Sequence, residues 1–163
     1  MATRLLQLFL IAVFSSGCVS VSLGPKPAER SKAFRFQSPG GDFKEVKIED
    51  MDRTWRSTST GNTISIKTSC DEAGDPSLTY LRGLLFEGID QLKITLNELT
   101  TYNGREALHS IAQGRIDGIE TGIELMIFKK NNCSYTLSYI GVKDRFEKDR
   151  STFQNFLNGF GVE

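Results

Sequence analysis

Apolar and polar residues alternate in four consecutive runs through the middle of the chain. In one of these runs, IETGIELMIFKK, Ile123, Leu125 and Ile127 share one face at the two-residue period of a strand. Short turn signals separate the runs, and such signals are typical of tight hairpins. The pattern therefore predicts a four-stranded antiparallel meander. Its predicted turns are Asn103-Gly104, Asp117-Gly118 and Asn131-Asn132.

The region before the meander also has strand character. AFRFQSPGGDFKEVKI contains two short extended pieces around a Ser-Pro-Gly-Gly turn. RTWRSTSTGNTISIKTSC predicts a hairpin, in which Ile64, Ile66, Thr68 and Cys70 alternate with polar residues. Together with the meander, these pieces predict about six strands.

A helix is predicted between the hairpin and the meander. Asp75 is a favourable N-cap, Pro76 suits the first helical position, and Gly88 is placed to end the helix. The apolar residues at helical spacing are Leu78, Leu81, Leu85 and Ile89.

A second helix is predicted at the C-terminus. Ser151 and Gln154 fit a capping box, although a start as early as Asp144 is an alternative. The helix carries an apolar and mostly aromatic stripe formed by Phe146, Phe153, Phe156, Leu157 and Phe160.

These elements predict an α+β fold for residues 34–163. An antiparallel sheet needs one face covered, and two amphipathic helices suit that purpose. We therefore expect a single domain in which an antiparallel sheet of about six strands is covered by two helices. We expect Trp55 in the core beneath the first helix; a partner contact is the alternative.

The first 17 residues have the features of an export signal. Arg4 gives a positive start, Leu5 to Phe14 form an apolar run, and small residues follow. Ten helical residues span about 15 Å, half the hydrocarbon thickness, which argues against a transmembrane anchor. Simple secretion is the alternative to lipidation.

The sequence Ser-Ser-Gly-Cys resembles a bacterial lipobox, although Ser15 stands where Leu is usual. The resemblance implies that residues 1–17 are removed and that Cys18 is acylated, so that membrane lipid is a partner. Val19 after the cysteine implies the outer membrane. Residues 18–33 are then the lipidated N-terminus and a flexible tether, with a strand from Val19 to Leu23 as the alternative.

Composition fits one soluble globular domain. The 163 residues are 39% hydrophobic and 25% charged, with 20 basic and 20 acidic side chains. This balance lacks the basic excess that drives nucleic-acid binding, so we expect no nucleic-acid partner. With Cys18 acylated, Cys70 and Cys133 remain as an even pair, and we expect them to form a disulfide, with two buried free thiols as the alternative.

Candidate chemistry is sparse. His109 is the single histidine; it lies mid-strand with Ala107 and Ile111, where a packed or edge role is commoner than catalysis. The absence of a Cys-x-x-Cys pair gives no support for zinc. Glu120, Gly122 and Glu124 lie opposite the apolar positions of their strand, as on a solvated face. We expect no catalytic residue, no cofactor and no metal.

The order of elements resembles the Mog1/PsbP-like fold, which DcrB-type and LpqN-type bacterial lipoproteins share. The similarity covers residues 34–161 and depends on NGREAL at 103–108, which opens a central strand, and on a terminal aromatic pattern. It implies a partner-binding or assembly protein without an active site, and no functional residue of the family maps onto this chain. The terminal pattern consists of Phe153, Phe156, Gly159 and Phe160.

We therefore expect a lipid-anchored bacterial envelope protein that acts as a non-enzymatic binding or accessory module for an envelope protein. Two alternatives stay open: an enzyme whose site forms only in three dimensions, and a small-molecule or lipid carrier. A deep pocket with convergent titratable groups favours an enzyme, a closed apolar cavity favours a carrier, and a flat apolar patch favours a binding module.

Overall fold

The computed structural model of the protein describes residues 33–70 and 75–163. The predicted signal sequence, Cys18 and the alternative strand from Val19 to Leu23 lie outside the described residues, as does nearly all of the predicted tether. None of the helices within the described ranges has the length and apolarity needed to cross a bilayer.

Seven of the described strands form one antiparallel sheet in the order β2-β3-β4-β8-β7-β6-β5. Two short strands, β1 and β9, pair separately and join the two ends of the domain. In chain order the strands are β1 (Phe34–Arg35), β2 (Phe43–Glu45), β3 (Arg53–Ser57), β4 (Thr63–Cys70), β5 (Asp90–Tyr102), β6 (Arg105–Ile116), β7 (Ile119–Lys130), β8 (Cys133–Val142) and β9 (Gly161–Val162).

The predicted meander is confirmed as β5 to β8. All six residues of its three turns have positive φ, as two-residue type I′ turns require. Asn, Asp and Gly tolerate this backbone region better than other residues. The turn chemistry in the sequence therefore set both the number and the order of these strands.

Three helices complete the described fold: α1 (Leu78–Leu85), α2 (Lys143–Phe146) and α3 (Arg150–Gly159). The N-cap of α1 is Ser77, whose hydroxyl accepts a hydrogen bond from the backbone N–H of Tyr80 at 3.1 Å. The prediction of Asp75 as N-cap is wrong, because its carboxylate instead pairs with Lys129 at 2.7 Å.

The predicted capping box at the start of the last helix does not form. The N-cap position of α3 is Asp149, and no side chain caps the helix there. The Gln154 side chain donates instead to the buried carboxylate of Glu124, at 3.0 Å. An earlier helical turn does begin near Asp144, but it is a separate element, α2, that ends before α3 starts.

The helices lie on opposite faces of the sheet. The α1 side buries Ile123, Leu125 and Ile127 of β7, whereas Met126 and Phe128 pack in the cluster beneath α2 and α3. Strand β7 is therefore buried for eight consecutive residues, 121–128. The α+β class is confirmed, with seven strands in the main sheet and both of its faces covered at the centre.

Trp55 is a core residue, but it lies beneath the last helix and not the first. Its indole is 3% exposed and packs between the rings of Phe36 and Phe156, with ring centroids 5.2 and 5.6 Å away. Trp55 lies there because β3 directs its side chain toward the face of the sheet that α3 covers.

Candidate functional site

Cys70 and Cys133 face each other on adjacent strands. They are register partners at the end of the β4–β8 ladder, with Cα atoms 4.0 Å apart and sulfurs 2.09 Å apart. The structure thus joins them in a disulfide whose two residues are 63 positions apart in sequence. On a chain-entropy argument, closing such a loop contributes about 4 kcal/mol to stability.

His109 belongs to a cluster of polar side chains between the sheet and α3. Its Nε2 lies 2.8 Å from Oε1 of Glu124, and its Nδ1 lies 3.6 Å from Glu98 on the neighbouring strand. From α3, Arg150 donates its Nε–H to Oε2 of Glu124 at 2.7 Å, and Gln154 donates to Oε1. Both oxygens of Glu124 are therefore bound.

The Glu124 side chain is fully buried, so the prediction of a solvated face is wrong there. Gly122 is buried as well, because the ring of Phe146 in α2 covers it, and only Glu120 of that set is exposed. Alternation within one strand predicts a sheet with one open face. Helices α2 and α3 cover this second face, which turns the expected surface positions into interior ones.

The cluster shifts the pKa values of its members. Burial by itself raises the pKa of Glu124, but hydrogen bonds from His109 and Arg150 outweigh burial and hold that pKa below its ordinary value. The hydrogen bond to Glu124 raises the pKa of His109, against the opposing effect of burial. The same carboxylate raises the pKa of Arg150.

This arrangement fastens α3 to the sheet. A carboxylate with no exposed surface and three donors has no accessible oxygen with which to take a proton from a substrate. Among the described residues, no group of three or more His, Cys, Asp and Glu side chains is arranged to hold a metal ion. The geometry of the cluster therefore supports a structural role for His109.

A polar cleft of about 1140 Å³ lies at one end of the sheet. It lies beside the first residues of α1 and the β7–β8 turn, with the disulfide at one edge. The Lys129–Asp75 ion pair links the sheet to the segment before α1 across it. Charges of both signs line this cleft, including Arg105, Glu106 and Lys130.

A second concavity, of about 420 Å³, is an apolar groove between α1 and β5. We define the α1–β5 surface as this groove together with the exposed apolar side chains next to it. Tyr80 and Leu84 of α1 are 59% and 50% exposed, and Leu99 of β5 is 63% exposed. The apolar side chains that line the groove are Tyr80, Leu84, Phe86, Leu92 and Ile94, and Leu85 and Leu99 are further exposed apolar residues of the same two elements.

Sequence reasoning missed both the polar cluster and the α1–β5 surface. A signal for the first was present, because Glu124 alternates with Met126 and Phe128, which are apolar positions of the same face. A signal for the second was the helix pattern, in which Tyr80 and Leu84 widen the apolar stripe beyond one buried face. Neither signal reveals which helix lies against which strand.

Comparison with solved structures identifies the fold. The chain is similar to cyanobacterial PsbP (CyanoP) from Synechocystis, with TM-score 0.60 and 17% identity over 88% of this chain and 96% of that one. It is also similar to LpqN of Mycobacterium tuberculosis, with TM-score 0.63 and 8% identity over 84% of this chain and 86% of that one.

A Pseudomonas aeruginosa protein of unknown function matches as well, with TM-score 0.55 and 10% identity over 71% of this chain and 93% of that one. No protein-family model matches the sequence. No curated protein matches it. At these identities the similarity concerns the fold, and the predicted Mog1/PsbP-like fold is confirmed.

Proposed function

We propose that this protein is a non-enzymatic binding module of the bacterial cell envelope and that it contacts a protein partner through the α1–β5 surface. The observation that carries the proposal is the exposure of Tyr80, Leu84 and Leu92 around one apolar groove. Contiguous exposed apolar surface is costly in water and marks sites that a partner covers.

The shape of the groove favours a macromolecule over a small ligand. Its upper wall consists of helix side chains that are half exposed, and its floor is the edge of a sheet. A carrier encloses its ligand in a closed cavity. An open apolar groove beside a helix instead accommodates the apolar face of a partner segment, as in proteins that bind an amphipathic helix.

Two arguments support the envelope as the location. The N-terminal sequence has the features of an export signal, followed by Ser-Ser-Gly-Cys. The solved structure of LpqN, which has the same fold, is described as that of a protein involved in cell envelope biogenesis. We propose that acylated Cys18 anchors the domain to the membrane, with the outer membrane as its site, and so concentrates it near a membrane-bound partner.

Paired substitutions in cells test the proposal. Leu84→Glu puts a charge into the groove, whereas Ile119→Glu puts one on an exposed apolar residue of the β6–β7 hairpin, which is 54% exposed. We expect Leu84→Glu to reproduce the phenotype of gene deletion and Ile119→Glu to be near normal, with both chains equally stable. Equal phenotypes for the two variants would contradict the assignment of the surface.

A third variant tests the non-enzymatic part of the proposal. His109→Gln keeps a hydrogen-bond donor for Glu124 and removes the titratable imidazole. We expect cells with this variant to retain function as long as the domain stays folded. Loss of function in a stable His109→Gln protein that still binds its partner would favour a catalytic role.

A further inference from the structure

Strand β5 is an edge strand of unusual length. It runs for 13 residues, pairs with β6 on one side, and has no pairing strand on its other side in the described part of the chain. None of its residues is fully buried. Such an edge presents a row of backbone donors and acceptors, and proteins usually shorten or cover edges of this kind.

Two register shifts interrupt β5, one between Asp90 and Lys93 and one between Ile94 and Leu96, and the second decides which side chains on either side of it share a face. Ile94 pairs with Ala112 and Leu96 pairs with the adjacent residue, Ile111, so Thr95 is an extra residue. Residues an odd number of positions apart lie on opposite faces of a regular strand. Across this bulge they lie on the same face.

The register partners show the result. Glu98 is opposite His109, and Lys93 is opposite Gln113, and both partners belong to the face beneath α2 and α3. Leu99 is opposite Leu108 on the α1 face. Lys93 and Glu98 thus share one face, although they are five positions apart.

On the other face, Leu92 lines the apolar groove of α1, and Leu99 extends from the same side at the N-terminal end of α1. These two leucines are seven positions apart. The pairs Lys93/Glu98 and Leu92/Leu99 have the same midpoint, between Thr95 and Leu96. A strand whose matching residues are spaced equally about one point is complementary to an antiparallel copy of itself.

We propose that two copies of this chain associate through β5 about a twofold axis that passes between Thr95 and Leu96. In this register Lys93 of each copy lies opposite Glu98 of the other, and Leu92 lies opposite Leu99. The interface then holds two opposite-charge pairs on one face and two leucine pairs on the other. The two sheets form one continuous sheet.

This dimer deepens the proposed function, on which its biological use depends. A twofold axis perpendicular to a continuous sheet leaves both α1 helices on the same face. The two apolar grooves then flank the axis as one composite contact surface. A partner that contacts both grooves is held more firmly than one that contacts a single groove, since the second contact is intramolecular.

Charge reversal tests the register. The full-length chain is purified, and its mass in solution is measured by sedimentation over a range of concentrations. We expect a dimer, with Kd raised about tenfold in Lys93→Glu, because two favourable pairs become repulsive. The double variant Lys93→Glu/Glu98→Lys restores both pairs and is expected to restore Kd. Lys67→Glu, at an exposed lysine of β4, is the matched control and leaves Kd unchanged.

Cysteine crosslinking is the second measurement. We expect Leu92→Cys/Leu99→Cys to give a covalent dimer on mild oxidation. The two single variants and the parent chain are expected to give none. A monomeric parent, an unchanged Kd in Lys93→Glu, or equal crosslinking by the single variants would overturn the dimer. The two proposals can fail separately. If the parent chain is monomeric but Leu84→Glu still abolishes cellular function, the dimer is wrong and the proposed binding surface is retained.

Discussion

The carboxylate of Glu124 has no exposed surface, and donors from β6 and α3 bind both of its oxygens. Removing one member of a buried ion pair leaves the other members without compensation. Because Arg150 keeps about a third of its surface exposed, solvent screens part of this loss. We therefore expect Glu124→Gln to lower the free energy of unfolding by about 2–3 kcal/mol, as measured by urea denaturation.

The matched control is Glu120→Gln in the same strand. Glu120 is exposed and pairs with Lys143 at 3.1 Å, and such surface pairs contribute less than about 1 kcal/mol. A loss of stability in Glu124→Gln no larger than that in Glu120→Gln would show that the cluster does not fasten α3 to the sheet.

The pH dependence of stability follows from the same cluster. The pKa of His109 is raised in the folded protein. Its contribution to stability is therefore complete below its pKa of 6.5 in the unfolded chain and is lost as pH rises through the folded pKa. The pKa of Glu124 is lowered, so its contribution is present above 4.5 and is lost as pH falls through the folded pKa. Melting temperature should therefore decline on both sides of a maximum.

The His109→Gln variant separates the two effects. We expect it to lack the decline in melting temperature above about pH 6.5 and to keep the decline in acid, where Glu124 is protonated. Melting curves of both proteins across this pH range provide the test. A decline above neutral pH that is identical in the two proteins would mean that His109 does not cause it.

At the scale of elements, β7 and α2 meet at a glycine. A Cβ on Gly122 would lie 2.6 Å from the ring of Phe146, which rests on the strand at this point. Adding volume to a well-packed core forces neighbours out of position at a cost of about 1–3 kcal/mol. We expect Gly122→Ala to lower the free energy of unfolding by this amount in a urea titration.

Gly83→Ala is the control, and it is expected to change the free energy of unfolding in the opposite direction. Gly83 lies within α1, and a Cβ there meets no atom within 4 Å. Because alanine is a better helix former than glycine, Gly83→Ala should raise the free energy of unfolding by about 0.5–1 kcal/mol. If Gly122→Ala and Gly83→Ala changed the free energy of unfolding in the same direction, the packing of Phe146 on β7 would not explain why position 122 is a glycine.

The elements show why part of the fold is predictable from sequence. Two-residue turns such as Asn103-Gly104 act locally, and they fix which strands are neighbours. The position of Trp55 beneath α3 and the covering of Glu124 depend on which face each helix selects. That choice is made by contacts between residues far apart in sequence, and a strand buried on both sides loses the alternation that would reveal it.

For the whole molecule, the fold and the disulfide partners could be anticipated, while the candidate surface could not. The expected pairing of Cys70 with Cys133 follows from counting the cysteines of a chain that is predicted to be exported. The α1–β5 surface requires Tyr80 and Ile94 to line one groove, although 14 positions separate them. Only the three-dimensional placement of α1 over β6 and β7 leaves β5 and its apolar side chains uncovered.

The central claim is that the α1–β5 surface contacts a partner in the envelope, and site-specific photocrosslinking in intact cells tests it most directly. A photoreactive residue is placed at position 84 in one strain and at position 119 in another, both replacing exposed apolar side chains. We predict that position 84 crosslinks to one discrete envelope protein, that Tyr80→Asp abolishes this product, and that position 119 gives none. Products from position 119 alone, or products from position 84 that persist with Tyr80→Asp, would contradict the account.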